Sequence, residues 1–316
     1  MKYRRLGNSG LQVSLAGLGT NNFGMRLDYE QSKSVVDAAL DTGINFFDTA
    51  DIYGGGRSEE YLGRALGSRR EDVLIATKFA MPVGEGPFTR GGSRHYIEKA
   101  VARTLRRLGT DYIDVYQMHQ PDLQTPIAET LEALSDLVHR GVVRYIGHSN
   151  FTGWQIADAD WTARSRGLER FVSAQNEWSL LERKVEAEIM PACREFGLGQ
   201  LPFFPLASGF LTGKYRRGKD LPAGTRLAAW AQAMPARIDA ITADANFDKL
   251  DGLTSFAEER GHTVLELALS WLASDPAVSS VIAGATRPEQ IEANVAATLA
   301  WELTAEDFAG VNEVLA

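Results

Sequence analysis

Apolar and polar positions along the chain change period in a repeating order: short apolar runs of strand character alternate with longer stretches at helical spacing. Tyr3 to Val13 reads as two short strands around Gly7-Asn8-Ser9-Gly10, a hairpin signal. Leu15 to Leu18 is the next apolar run, and Asp28 to Thr42 follows as a helix opened by an Asp28/Gln31 capping box. Further strands are predicted at Asn45 to Asp48, Val73 to Lys78, Tyr112 to Met118, Val143 to Gly147, Val172 to Gln175, Leu198 to Phe204 and Ser279 to Ala283. Helices are predicted between them, at 58–66, 93–108, 125–140, 152–166, 182–196, 247–260, 263–274 and 287–298, with a last one at 305–315. Thr125-Pro126 reads as N-cap and N1 of its helix. From Ser208 to about Asn246 the rhythm gives way to a stretch rich in Gly, Pro, Arg and Lys.

Mostly apolar strands alternating with amphipathic helices imply a parallel sheet covered by helices. Eight such units predict closure into a (β/α)8 barrel, with an N-terminal hairpin and extra C-terminal helices, as one domain over residues 1–316. A doubly wound sheet is the alternative, but no G-x-G-x-x-G follows the first strand.

The net charge of −8 disfavours nucleic acid or an anionic membrane as partner, so any anionic ligand needs a local cationic cluster. One cysteine, Cys193, excludes an internal disulfide and fits a reducing compartment. It falls in a helical pattern and reads as packing. No apolar run marks a signal peptide or a membrane span, so the expected location is the cytoplasm.

In such a barrel, chemistry gathers at the C-terminal ends of the strands. Those positions hold Gly19-Thr20-Asn21, Asp48 with Tyr53 five residues on, Lys78, His119, Ser149-Asn150, Gln175-Asn176, Phe203-Phe204-Pro205 and Gly284-Ala285-Thr286-Arg287. Alone, a strand-end Asp commonly caps a loop, and a lone Tyr or His is usually structural. Together, Asp48, Tyr53, Lys78 and His119 converge on one mouth. A Tyr is a poor acid at neutral pH; a nearby Lys lowers its pKa, and Asp48 can hold that Lys. His119 can donate a hydrogen bond to a carbonyl oxygen, which makes a proton-donating site for carbonyl reduction.

Thr286-Arg287-Pro288-Glu289 reads as a capping box at a helix start, and such a start with a flanking Arg suits a phosphate. Gln290 and Asn294 share a face of that helix. Lys214 and Arg226 belong to the cationic loop. Lys214-Tyr215-Arg216-Arg217 reads as a solvated run that could close over a phosphate.

These segments resemble the aldo-keto reductase superfamily. FFDTADIYGGGRSEEYLG is similar to its Asp–Tyr signature, IATK to its lysine segment and DVYQMHQPD to its histidine segment. GHSNF, SAQNEWSLLER, PFFPLASGFLTGKY and IAGATRPEQIEAN resemble its cofactor-binding segments, and YRRLGNSGLQVSLAGLGT its opening. The opening and GGSRHYIEKAV are also similar to the potassium-channel β-subunit branch, read here as general relatedness. The resemblance implies an enzyme that reduces small-molecule aldehydes and ketones with NADP(H), NAD(H) being the alternative. Tyr53 is the implied acid; Lys78 lowers its pKa, Asp48 supports Lys78 and His119 orients the carbonyl. Ser149, Asn150 and Gln175 are implied for the carboxamide, and Phe203 for stacking on the nicotinamide. Leu206, Gly209 and Lys214 are implied for the pyrophosphate, with Gly19, Thr20, Asn21, Phe204, Pro205 and Arg226 nearby. Gly284, Thr286, Arg287, Gln290 and Asn294 are implied for the adenosine end, Thr286 and Arg287 favouring a 2′-phosphate.

Three positions depart from the family pattern. Phe204 replaces a usual Ser, His148 a small or apolar residue, and Pro202 interrupts the seventh strand. A cofactor-binding regulatory subunit with little turnover is a second reading, though the complete tetrad favours catalysis. A metal-dependent hydrolase is a third; among His95, His119, His139, His148 and His262 only His119 and His148 lie near strand ends, and no His-x-His occurs. The substrate and the oligomeric state have no signature in the chain.

Overall fold

In the computed structural model, which describes residues 1–316, Tyr3–Arg5 (β1) and Gln12–Ser14 (β2) pair antiparallel. Eight parallel strands follow: Ala16–Gly19 (β3), Phe46–Asp48 (β4), Leu74–Phe79 (β5), Ile113–Met118 (β6), Val143–Ser149 (β7), Ser173–Gln175 (β8), Gly199–Gln200 (β9) and Val281–Gly284 (β10). They are hydrogen-bonded in the order β10-β3-β4-β5-β6-β7-β8-β9. Parallel bridges Gln200↔Val278 and Phe203↔Ile282 join the two ends and close the barrel.

The outer ring starts with α1 (Tyr29–Asp41), α2 (Arg57–Leu66), α3 (Arg94–Leu108), α4 (Ile127–His139), α5 (Gly153–Arg166) and α6 (Ile189–Phe196). Two short helices, α7 (Arg226–Trp230) and α8 (Pro235–Ile241), lie in the long connection. Then come α9 (Asp244–Glu258), α10 (Val264–Ser274), α11 (Pro288–Leu299) and α12 (Ala305–Leu315). No helix is long and apolar enough to cross a membrane. Cys193 is buried on α6.

The hairpin plugs the barrel from below. Leu6 and Val13 are fully buried against Phe46, Ala76, Val115, Leu201 and Ile282. Burying one such side chain contributes about 1.5–3 kcal/mol. Arg4 donates to the carbonyls of Asp275 and Val278, and Ser14 N to Asn45 Oδ1, which ties the plug to the lower rim. The upper rim stays open.

Several elements differ from the sequence reading. The predicted helix 182–196 is a 3-10 turn at Lys184–Glu186 followed by α6 from Ile189. Pro191 is tolerated only within the first helical turn, so it fixes that start. The predicted strand 198–204 shrinks to Gly199–Gln200; Pro202 has no N–H for the ladder, and its carbonyl accepts from Ile282 N instead. Thr125 is not the N-cap of α4: Pro126 is, and the Thr125 hydroxyl donates to Asp122. Thr286 and Glu289 form no capping box. Arg287 is the N-cap of α11, and Gln290 Oε1 accepts from Thr286 N and Thr286 Oγ1.

His148 is fully buried between Phe151 and Phe171, and neither ring nitrogen has a partner. Burial lowers its pKa to about 3. Unfolded, it titrates near 6.5, so the unfolded chain binds the extra proton and stability falls as pH drops through that window. At pH 5 this one group costs about 2 kcal/mol. His148→Leu is expected to remove that loss and to be at least as stable at pH 7.5. Urea midpoints at pH 5 and 7.5 check this; equal pH slopes for the two proteins would refute it.

Candidate active site

Tyr53 follows β4 on a tight turn. Gly54, Gly55 and Gly56 all take left-handed φ, of 60°, 68° and 97°. A Cβ on Gly54 would lie 2.8 Å from the Phe23 carbonyl oxygen, so glycine is required there. The turn places Tyr53 over the barrel mouth and leads into α2. Asp48 ends β4, Lys78 is the fifth residue of β5, and His119 follows β6 directly.

Lys78 is fully buried and spends its three donors on Asp48 Oδ1 (2.7 Å), Asp48 Oδ2 (2.7 Å) and the Thr49 carbonyl (2.8 Å). Its ammonium lies 5.2 Å from the Tyr53 ring centroid. Burial alone would lower the Lys78 pKa, but Asp48 and Tyr53 outweigh it and hold the group charged. For Tyr53, burial raises the pKa and the opposing Lys78 charge does not fully compensate. The expected lowering is thus an opposing influence, and the net shift is upward. His119 stands edge-on to Tyr53, ring centroids 5.8 Å apart. Burial and the Lys78 charge lower its pKa to about 3, so it is neutral. Its Nδ1 is buried without a partner, which leaves Nε2 for the cleft.

The cleft above these groups, about 230 Å³, is lined by Gly19, Asn21, Tyr53, His119, Ser149 and Asn150. Gln175, Phe203, Phe204, Pro205, Arg226 and Gly284 complete its lining. Thr20 and Asp48 also border it, but their polar atoms are engaged: Thr20 Oγ1 bonds the Asp48 carbonyl and Ser58, and Asp48 holds Lys78. The Ser149 hydroxyl donates to the Gln175 carbonyl, and Asn150 Nδ2 to the His119 carbonyl.

A second groove of about 350 Å³ continues the first through Pro205, Arg226 and Gly284. It gathers Leu206, Gly209, Lys214, Thr286, Arg287, Gln290 and Asn294. The joined space is in the range of cofactor sites, about 300–1,000 Å³. Burial and then neighbouring cations lower the Arg226 pKa to about 10. Lys214 is lowered by burial and by Arg226, Arg26 and Arg287. None of these four cations has a carboxylate partner, so they form the local positive site that an anion needs in an acidic protein. Arg26 donates to the Gly224 carbonyl and so ties the β3–α1 loop to the long connection.

Within Lys214-Tyr215-Arg216-Arg217, Lys214 faces the groove, Tyr215 is buried and Arg217 pairs with Asp248. Phe204 has a left-handed φ of 51° and packs on Trp230, with Arg226 and Arg237 over both rings. Its ring thus offers the cleft no polar contact and instead packs on the long connection. Trp178 packs on Trp271 and lines neither cleft.

Three residues of the site, Gln117, Ser208 and Arg26, escape the sequence reading, whereas Asn22 is among its candidate substrate-loop positions. Gln117, fully buried on β6, places Nε2 3.5 Å from Asp48 Oδ1. Ser208 follows Ala207 in left-handed φ, and its buried hydroxyl has no protein partner although it lines the second groove. Asn22 and Arg26 reach that groove from the β3–α1 loop. Only the loop's position above strand one pointed to them.

A model of the aldo/keto reductase family matches residues 16–316. The chain is 40% identical over 302 residues to a protein of Oryza sativa subsp. japonica described as a probable voltage-gated potassium channel subunit beta, across 94% of this chain and 91% of that one. It is 39% identical over 308 residues to the uncharacterized oxidoreductase YrpG of Bacillus subtilis, across 94% and 91%. It is 32% identical over 324 residues to the L-glyceraldehyde 3-phosphate reductase of Escherichia coli, across 100% and 93%. With the barrel and the placement of its strand ends, these likenesses make this chain a member of the aldo/keto reductase family.

Proposed function

We propose that this protein is an NADP(H)-dependent cytoplasmic enzyme that reduces small-molecule aldehydes and ketones to alcohols, in one barrel domain. The observation that carries the reading is the buried Lys78–Asp48 pair beneath Tyr53, opening onto a groove whose cations lack carboxylate partners. The cofactor fits this groove by its chemistry. Ser208 Oγ has no protein partner, Lys214 and Arg226 have no carboxylate partner, and Arg226 Nη2 donates only to Asn21 Oδ1, which leaves donors for phosphate oxygens; a Cβ on Gly284 would lie 3.2 Å from Arg226 Nη2. Ser149, Asn150 and Gln175 border the end where the carboxamide would lie, and Phe203 offers a ring face. Thr286, Arg287, Gln290 and Asn294 would take the adenosine end. Bound there, the nicotinamide supplies a hydride to the carbonyl carbon.

The chain supplies the proton and the polarisation. His119, neutral, donates a hydrogen bond to the carbonyl oxygen as negative charge develops on it. Tyr53 passes its proton to that oxygen, and Lys78 stabilises the phenolate left behind. Asp48 fixes the ammonium but does not touch the substrate. Phe203 and Phe204 give the cleft an apolar wall.

A panel of aldehydes and ketones, followed by NADPH oxidation at 340 nm, tests the reading. Turnover of at least one class is expected. Likeness to the rice channel subunit supports a second reading, a cofactor-binding subunit; NADPH binding without turnover of any panel member would favour it. In a fluorescence titration NADPH is expected to bind at least about tenfold tighter than NADH, one lost charged contact being worth about 1.5–3 kcal/mol. Arg287→Ala is expected to erase most of that difference. Tighter binding of NADH by the unaltered protein would overturn the assignment.

A further inference from the structure

Gln175 does two things at once. Its Nε2 donates to Asp48 Oδ1 at 2.8 Å, between residues that are 2% and 3% exposed. The amide orientation is forced, because an ionised carboxylate only accepts. Its Oε1 therefore turns away from Asp48; it receives no protein hydrogen bond and Gln175 lines the cleft. The Ser149 hydroxyl holds the Gln175 backbone carbonyl at 2.8 Å, and β8 pairs there with β7, so the backbone that carries the side chain is fixed, and the bond to Asp48 Oδ1 sets the amide itself. Asp48 Oδ1 thus receives three donors, from Lys78, Gln175 and, at 3.5 Å, Gln117, whereas Oδ2 receives only Lys78.

We propose that Gln175 is a positioning residue that couples occupancy of the nicotinamide end of the cleft to the strength of Tyr53 as an acid. This rests on the function proposed above for that cleft. A donor bound at Oε1 polarises the amide and strengthens Nε2–H as a donor to Asp48, because hydrogen bonds in series reinforce one another in a low dielectric. Asp48 then holds more of its charge toward Gln175 and less toward Lys78. More of the ammonium charge faces Tyr53, and the phenol becomes the stronger acid when the site is filled. The charged and titratable groups around the phenol are Asp48 from β4, Lys78 from β5, His119 after β6 and Arg226 from α7. Only Asp48 and Lys78 change their mutual pairing in this relay.

Gln175→Met keeps the length of the side chain and removes the donor. The phenol can be titrated without cofactor or turnover, as the 295 nm absorbance of each protein minus that of its Tyr53→Phe counterpart. The Tyr53 pKa is expected to rise in Gln175→Met by about half a unit to one unit, since Asp48 keeps more charge against the phenolate. At saturating NADPH the alkaline limb of kcat is expected to move up in the same direction, with kcat at neutral pH down about three- to tenfold. Gln117→Met, which removes the longer bond, is expected to act in the same direction but less. A residue that only bound cofactor would raise the NADPH Kd and leave both the 295 nm titration and kcat at saturation unchanged. That result in folded Gln175→Met, with Gln117→Met also unchanged, would overturn the coupling. Failure of the unaltered protein to reduce any carbonyl would instead overturn the function, and would leave the phenol titration readable.

Discussion

Exchange of Tyr53 for Phe is expected to lower kcat for carbonyl reduction by about 10²–10⁴-fold, the span for loss of a positioned general acid. NADPH affinity is expected to stay close to that of the unaltered protein. Phe keeps the ring that stands 5.8 Å from His119 and 5.2 Å from the Lys78 ammonium, so packing and the cation–π contact persist. Only the hydroxyl is lost, and with it the proton. No neighbour replaces it: the Lys78 donors are committed to Asp48 and Thr49, and His119 stays neutral down to about pH 3. The pH profile follows from the same arrangement. The acid form of Tyr53 is active; burial holds its pKa above the usual tyrosine value, so activity is present below that raised pKa and lost only as pH rises through it. Stopped-flow single turnovers with pre-bound NADPH separate this effect from binding. Near-wild-type turnover in Tyr53→Phe would show that the proton comes from elsewhere.

The barrel was legible because strand and helix periods alternate cleanly, and the tetrad because strand ends in this fold share one mouth. The hairpin followed from a single turn signal, whereas its place as a plug under the barrel depends on the packing of Leu6 and Val13. Less legible were features that depend on three-dimensional partners. Gln117 looks like any polar residue in an apolar strand; only its depth beside Asp48 gives it a role. Ser208 was hidden because left-handed φ at Ala207 and Ser208 is not encoded by glycine. Pattern predicted a full strand at 198–204 because Leu198, Leu201, Phe203 and Phe204 are apolar, whereas Pro202 limits the ladder to two residues. The net sign of the Tyr53 shift was also beyond the sequence. It depends on whether desolvation or Lys78 wins, and burial wins.

Lys78→Met is expected to be the most destabilising single change in the site, by about 3–5 kcal/mol, because it leaves the Asp48 carboxylate buried and without its cation. Asp48 is 3% exposed, and without Lys78 it keeps only the amides of Gln175 and Gln117. Met fills nearly the volume of the lysine stem, so the loss reports charge more than packing. Asp48→Asn in the same chain removes that charge, and the double variant is expected to recover most of the stability while remaining catalytically impaired. The coupling in this double-mutant cycle measures the pair itself. Urea unfolding of the four proteins at pH 7.5 distinguishes the outcomes. If Lys78→Met were as stable as the unaltered protein at pH 7.5, the pair could not be as desolvated as its burial implies, and Lys78 would lose its place as the charge that supports the Tyr53 phenolate.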